Sequence, residues 1–501
     1  MRRLIHIRAI GVPAALFGTA LLGAALFGPA PAWAQTAPEP QSRSGTQEGP
    51  YEAPPEATEN ALELSLDEAI ARALETGETV AQAHETVRAA EAGLVQARAG
   101  RWPHLDAATT YRHNVKKPAF FLPADFADAF GGASKVETGG DYDLTGALTA
   151  TWNLWTAGRL SAAGGAAREW LASTRYQEQA ARDYIRYRVR AAYDQVLLAQ
   201  ANLSIAQRAL SETEEAARVA RAGFEAGTVS RFERQRAEVE LANRRAPLVE
   251  ARNAVGQARL QLARLCGLSL ETSPVLTDSL EAVTSPGPAT EMIARMRRHS
   301  PELQALEHAV SAARRKVDLQ RAQRGPALQL SGQYVWQGQW DDDPIPEDDH
   351  LATSANVALG VSVPIFDGLE TKARIEGARA ELRTAELELT RVLRDKELAV
   401  RQALLQLENA LAALEGRRDA VALAEEAHRL ALVRLANGLA TPLERLDAEA
   451  AMTTARAQLA AALYAANLAE ATLELTVGAP LRTGDAGDPM DSSEALPHPI
   501  T

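Results

Sequence analysis

The sequence predicts a mainly α-helical protein with transmembrane β-strands, in which a unit of two strands and one long helix hairpin is written twice. Three observations predict it: an internal repeat, four runs of period-two alternation, and helical stretches several times longer than a globular helix.

Phe224–Arg234 overlays Leu435–Arg445, so that Gly227 falls on Gly438, Glu233 on Glu444 and Arg234 on Arg445. Ala237-Glu238 then falls on Ala448-Glu449 and Leu154-Trp155 on Ile365-Phe366, all at an offset of 211. Pro103, Leu105 and Tyr111 instead fall on Pro326, Leu328 and Tyr334 at an offset of 223. The first half therefore carries 223 − 211 = 12 extra residues between its two strand candidates, a difference that belongs in a loop. Each half reads as short helix, two strands, then two long helices.

Strands are predicted over 105–115, 144–155, 328–338 and 354–366, where apolar and polar residues alternate. Leu328, Leu330, Tyr334 and Trp336, for example, oppose Gln329, Ser331, Gln333 and Gln337. Each run approximates the ~9–11 residues of a tilted membrane strand. Trp102, Tyr111, Trp152, Trp155, Tyr334, Trp336 and Trp340 lie in or beside the runs, as interface aromatics would. A soluble antiparallel sheet packed on a helix alternates too. That makes a periplasmic coiled-coil adaptor or scaffold the alternative reading, but it leaves the tryptophans and the polar rows unexplained.

Leu160–Phe224 and Glu370–Leu435 contain no proline and are dominated by Ala, Arg, Glu, Gln and Leu, all strong helix formers. At ~1.5 Å per residue each spans about 100 Å. Ser230–Leu265 and Thr441–Val477 are the returning arms, and Pro247 predicts a kink in the first of them. Abundant alanine with heavier apolar residues three and four apart suits close coiled-coil packing.

The N-terminus reads as an export signal over 1–34: Arg2, Arg3 and Arg8 precede an apolar core and the small-x-small site Ala32-Trp33-Ala34. Removal of that signal would leave a net charge of (53 − 3) − 65 = −15, a poor match to nucleic acid. Cys266 is the only cysteine, so no intrachain disulfide forms. A Pro- and Glu-rich lead covers 35–62, the two structural repeats cover 63–267 and 289–478, a linker joins them over 268–288, and a tail fills 479–501. After the signal no stretch approaches the ~20 apolar residues of a helical span. Any crossing must use strands, which restricts it to an outer membrane of the bacterial kind.

Four strands cannot close a barrel, for which about eight is the minimum. Open edges in hydrocarbon would leave backbone groups unpaired at several kcal/mol each, so copies of the chain must share one barrel. Two copies would give a filled interior and three a lumen, and the rows of Thr, Ser, Asn and Gln fit a wet lumen better.

From about Leu64 to Gly478 the chain resembles the TolC-like outer-membrane efflux family (outer membrane factors). The resemblance rests on Leu64-Ser-Leu-Asp-Glu-Ala-Ile70, Arg101-Trp102-Pro103, Leu154-Trp155-Thr156-Ala157-Gly158-Arg159, Val363-Pro364-Ile365-Phe366-Asp367-Gly368 and the Gly438–Glu449 hairpin tip. It implies a homotrimer whose twelve-stranded β-barrel continues into a periplasmic α-helical coiled-coil barrel. It also implies a periplasmic membrane-fusion adaptor and an inner-membrane pump of RND, ABC or MFS type as partners, besides outer-membrane lipid. By the same resemblance Glu444, Asp447 and Glu233 point into a narrow periplasmic entrance, where rings of three would favour cations. The tips Gly227-Thr228-Val229 and Gly438-Leu439-Ala440 become the adaptor contacts, and glycine there also suits a plain helix reversal. Leu435 and Ala440 replace an aromatic and a basic residue of the family's pattern, and Arg236 takes the first-half place of Asp447.

P-loop, nucleophile-elbow, dinucleotide and HExxH motifs are missing, and the nine histidines stand singly without metal-ligand spacing. No catalysis, cofactor or metal is expected. Two outer loops stand apart: Lys116–Asp141 with Phe120, Phe121, Phe126 and Phe130 as a hydrophobic rim or plug, and Asp341–His350, an acidic loop that is solvated or holds a divalent cation.

Overall fold

The computed structural model describes residues 61–121, 135–280, 283, 285, 287–341, 344–345 and 351–481. The 1–34 signal, most of the 35–62 lead, Phe126, Phe130 and most of the acidic loop lie outside the described residues.

Strand β1 (Ala61–Leu64) leads into α1 (Leu66–Thr76) and α2 (Glu78–Ala99). Then come β2 (His104–His113), a short hairpin of β3 (Ala119–Phe121) and β4 (Lys135–Glu137), and β5 (Tyr142–Trp155). Two long helices follow, α3 (Arg159–Glu225) and α4 (Arg231–Leu265). The second half repeats the order: β6 (Ser273–Leu276), α5 (Ala289–His299), α6 (Pro301–Ala322), β7 (Ala327–Trp340), β8 (Leu351–Ser362), α7 (Glu370–Ala436) and α8 (Pro442–Val477). α3 and α7 have 67 residues each, about 100 Å at 1.5 Å per residue. The β3–β4 hairpin occupies the extra length of the first half. β1 and β6 pair in parallel and tie the 268–288 linker to the start of the first repeat.

The duplication reaches the core. At the offset of 211, buried Val189, Val196, Val255 and Leu262 of the first cluster answer to buried Val400, Leu407, Ala466 and Leu473 of the second. Cys266 takes the place of Val477 and is buried, its thiol pushed up to about 11 by loss of solvent. It behaves as a small apolar residue. Even the strained backbone repeats: positive φ occurs at Ala157 and Gly158, and again at Gly368 and Leu369.

Pro247 does not break α4, which runs unbroken over 35 residues. Pro247 and Asn243, whose carbonyl loses its donor, are both exposed, so water can take the missing bond. β8 ends at Ser362, four residues short of the predicted Phe366, because Pro364 has no N–H for a ladder. β5 and β7 each extend to 14 residues.

β2, β5, β7 and β8 form one antiparallel sheet in that order, with β2 and β8 at its edges. Residues paired across strands share a face. Leu105, Ala150, Gly332 and Val357 therefore stand in one row, and Ala107, Leu148, Tyr334 and Ala355 in the next. The opposite face carries the rows Asp106, Thr149, Gln333, Asn356 and Thr110, Thr145, Gln337, Ala352. The apolar face is open to its surroundings: Leu105, Val357, Leu359 and Val361 are all exposed, Val357 by 78%. No helix covers the sheet among the described residues, which overturns the alternative of a soluble β domain packed on a helix. Gly146 is required here, because the Trp336 indole lies where its Cβ would be, 1.9 Å from the nearest ring atom.

Candidate functional site

The two hairpin tips are built alike. α3 ends with Gly227 at φ +76°, and the amides of Thr228 and Val229 donate to the Gly223 carbonyl at 2.8 and 3.1 Å. α7 ends with Gly438 at φ +69°, and the Leu439 amide donates to the Arg434 carbonyl at 2.8 Å. Both are helix reversals in which glycine adopts the left-handed conformation and a bond reaches back over the last turn. Leu439 is exposed beside its glycine, and Phe232 is exposed just past the first tip.

The three predicted ring carboxylates have different surroundings. Glu233 closes a capping box: its carboxylate accepts from the Ser230 amide and hydroxyl, both at 3.0 Å, while its own amide donates to Ser230 Oγ at 3.2 Å. Those bonds hold the Glu233 carboxyl below its usual range. Glu444 begins the same way at its Thr441 cap and lies 4.0 Å from Arg434. Asp447, one turn further along α8, is exposed and has no ion-pair partner among the described residues. Arg234 is stacked 4.5 Å over the Phe224 ring, which keeps its charge against the first tip.

The interface aromatics divide into levels. Tyr111, His113, Tyr142 and Trp340 cluster at the loop end of the sheet, with ring centroids 4.7–6.3 Å apart. Trp102, Trp152 and Trp155 stand at the opposite end, where Trp152 Nε1 donates to the Arg101 carbonyl at 2.9 Å. Leu144, level with Tyr111, and Trp152 are eight residues apart on β5, about 27 Å along the strand. Tyr334 is level with Leu148, halfway between, and Trp336 one row nearer the loops, so neither lies at an end. In the outer loops, Asp341 accepts from Lys117 Nζ at 2.7 Å and from the Asp141 amide at 2.9 Å. That carboxylate is used in tying the loops together.

Sequence reasoning missed one cluster. Glu212 of α3, His428 of α7 and Glu449 of α8 bring one imidazole and two carboxylates together, with their donor atoms within 4.8 Å of one another. Glu449 is fully buried, accepts from Thr213 Oγ1 at 3.3 Å and pairs with Arg445 at 3.2 Å. Three residues from three helices leave no spacing for a motif search to find.

The model of the outer membrane efflux proteins matches residues 69–268 and 292–479, which together make up most of the chain. The chain belongs to the outer membrane efflux protein family. Among its relatives is the alkaline protease secretion protein AprF of Pseudomonas aeruginosa, 26% identical over 60% of this chain and 62% of AprF. The outer membrane efflux protein BepC of Brucella suis is 28% identical over 52% of this chain and 56% of BepC. The matches thus span about three-fifths of these relatives' length. Among solved structures, the outer membrane protein VceC of Vibrio cholerae superposes with a TM-score of 0.67 at 19% identity, covering 83% of this chain and 97% of VceC. The Neisseria gonorrhoeae MtrE outer membrane channel superposes at 0.65 with 21% identity, covering 83% and 89%. As an outer membrane efflux protein the chain resides in the outer membrane with a periplasmic extension, in a family of channels and not of enzymes. Its fold is that of these channel structures, a four-stranded antiparallel sheet continued by two long helix hairpins.

Proposed function

We propose that three copies of the chain, each β8 joined to the β2 of the next, form the exit duct of a tripartite efflux or type I secretion system. Transport through it is passive, across periplasm and outer membrane. The observation that carries this reading is the sheet: one face is apolar and exposed, the other carries the rows of Asp, Thr, Gln and Asn, and both edges are open. β8 runs antiparallel to the β2 of its own chain, so a neighbouring copy's β2 continues the alternation and satisfies the edge. The names of AprF and BepC, one secretion and one efflux, support a duct that serves a separate pump. A periplasmic membrane-fusion adaptor meeting the exposed apolar residues at the tips, Leu439 and Phe232, is the docking this reading requires.

Within the duct the entrance ring is carried chiefly by Asp447, whose carboxylate stands exposed, with Glu444 second; Glu233 is committed to its cap. Three like charges around a constriction raise the local cation concentration. Purified trimers in planar bilayers test it: Asp447→Ala with Glu444→Ala should lower cation preference or change single-channel conductance, and Glu233→Gln should change neither. Channels of parental conductance and selectivity in the double variant would refute the ring. Recovery of the protein as a soluble monomer would refute the duct itself.

A further inference from the structure

We propose that Glu212, His428 and Glu449 form a divalent-cation site, of the class that takes Zn²⁺, stapling α3 of the first hairpin to both helices of the second. The donor set is the first reason. One imidazole and two carboxylates suit a borderline cation, and their ligand atoms lie within 4.8 Å of one another. Donors on one such ion, each ~2.0–2.2 Å from it, are about 3–3.5 Å apart, which rotamer adjustments reach from here.

The second reason is an unmet bond. His428 Nε2 is shut off from solvent and has no hydrogen-bond partner among the described residues. A buried polar atom without a partner is costly, and a bound cation removes the cost. Charge agrees. Arg445 offsets one of the two carboxylates, and Arg244, near Glu449, is itself paired with Glu240 at 3.0 Å. One negative charge and one imidazole lone pair remain.

The duplication supplies an internal control. At the offset of 211, the counterparts of Glu212, His428 and Glu449 are Leu423, Ala217 and Glu238. A hairpin of this length thus packs without a His and a second carboxylate, so the triad is not demanded by the coil. His428 and Glu449 lie 10 and 11 residues from Gly438, about 15 Å up the hairpin from the tip. Asp447 lies two residues before Glu449, at nearly the same height but roughly 200° round α8, so exposed Asp447 and buried Glu449 face opposite ways. The site stands whether or not the Asp447 ring does.

The test uses detergent-purified, chelator-stripped trimer titrated with Zn²⁺ by calorimetry and with Co²⁺ by visible absorption. The parent should bind about one ion per protomer, saturably. His428→Ala and Glu449→Gln should weaken binding at least about tenfold, the least that disturbing a metal's ligand shell costs. His84→Ala, an exposed histidine 3.6 Å from Glu178, should bind as the parent does. Heat-modifiable trimer migration checks that each variant folds, and if Glu449→Gln does not, His428→Gln takes its place. No saturable binding by the parent, or parental stoichiometry and affinity in His428→Ala, would overturn the proposal.

Discussion

Asp194 shows what one buried charge does in a long helix. The residue is 6% exposed, one carboxylate oxygen has no hydrogen-bond partner among the described residues, and the neighbouring cation, Arg190, is already paired with Glu470 and, at 2.6 Å, with Glu474. Burial pushes its pKa up to about 6; Glu470 adds to the rise and Arg190 opposes it. The folded state thus holds this proton more tightly than the unfolded chain, whose Asp titrates near 3.9. Protonation favours the fold: this group's penalty is fully present above about pH 6 and fades as the pH falls toward 4. Asp194→Asn should therefore raise the thermal midpoint at pH 7.5, with a gain on the order of 1–3 kcal/mol, and the gain should vanish near pH 4. An unchanged midpoint at pH 7.5 would show that the carboxylate is better solvated in the assembly. Nothing in the sequence singles this residue out. In a helix rich in Ala, Arg and Glu, an inward Asp looks like a surface one, and its repeat counterpart, Leu405, is exposed.

At the scale of elements, the caps explain why each hairpin turns where it does. Ser230-Arg-Phe-Glu233 is a capping box that starts α4 directly after the Gly227 reversal. Ser230→Ala removes the acceptor of the Glu233 amide and one of the two donors to its carboxylate, leaving the backbone amide of residue 230 in place, at a cost of about 1 kcal/mol. The expected result is faster amide exchange at Phe232–Arg234 with α8 unaffected; equal exchange would mean that the tip is held by packing alone. The elements were largely legible in advance because the repeat gave two readings of each: the 211 offset located both tips, both long helices and both returning arms. Legibility failed where a local rule met a context it did not specify. Pro247 removes a backbone bond, yet on an exposed face α4 runs on through it. Glu233 aligns with Glu444, but the alignment does not show that the serine three positions earlier donates to its carboxylate from both amide and hydroxyl. The Glu212, His428 and Glu449 cluster failed differently, because no periodicity relates residues drawn from three helices.

At the scale of the molecule, alternation along the strands was legible, but the register that lines up four strands into one apolar and one polar face was not. That alignment gives a sharp test, because neighbouring residues of β8 belong to opposite solvents. Ala355 stands in the row of Ala107, Leu148 and Tyr334, midway between the two aromatic ends. Asn356 stands in the polar row with Asp106, Thr149 and Gln333. An arginine facing lipid at mid-depth costs about 2–4 kcal/mol, and three copies bring that to about 6–12 kcal/mol per barrel. Ala355→Arg should therefore abolish heat-resistant trimers in outer-membrane fractions. Asn356→Arg, one residue away with the same side chain, should assemble and show itself in altered ion selectivity, because its charge lines the water-filled side. If both variants assembled equally well, or if their phenotypes were exchanged, the assignment of faces would be wrong, and with it the barrel built from β2, β5, β7 and β8.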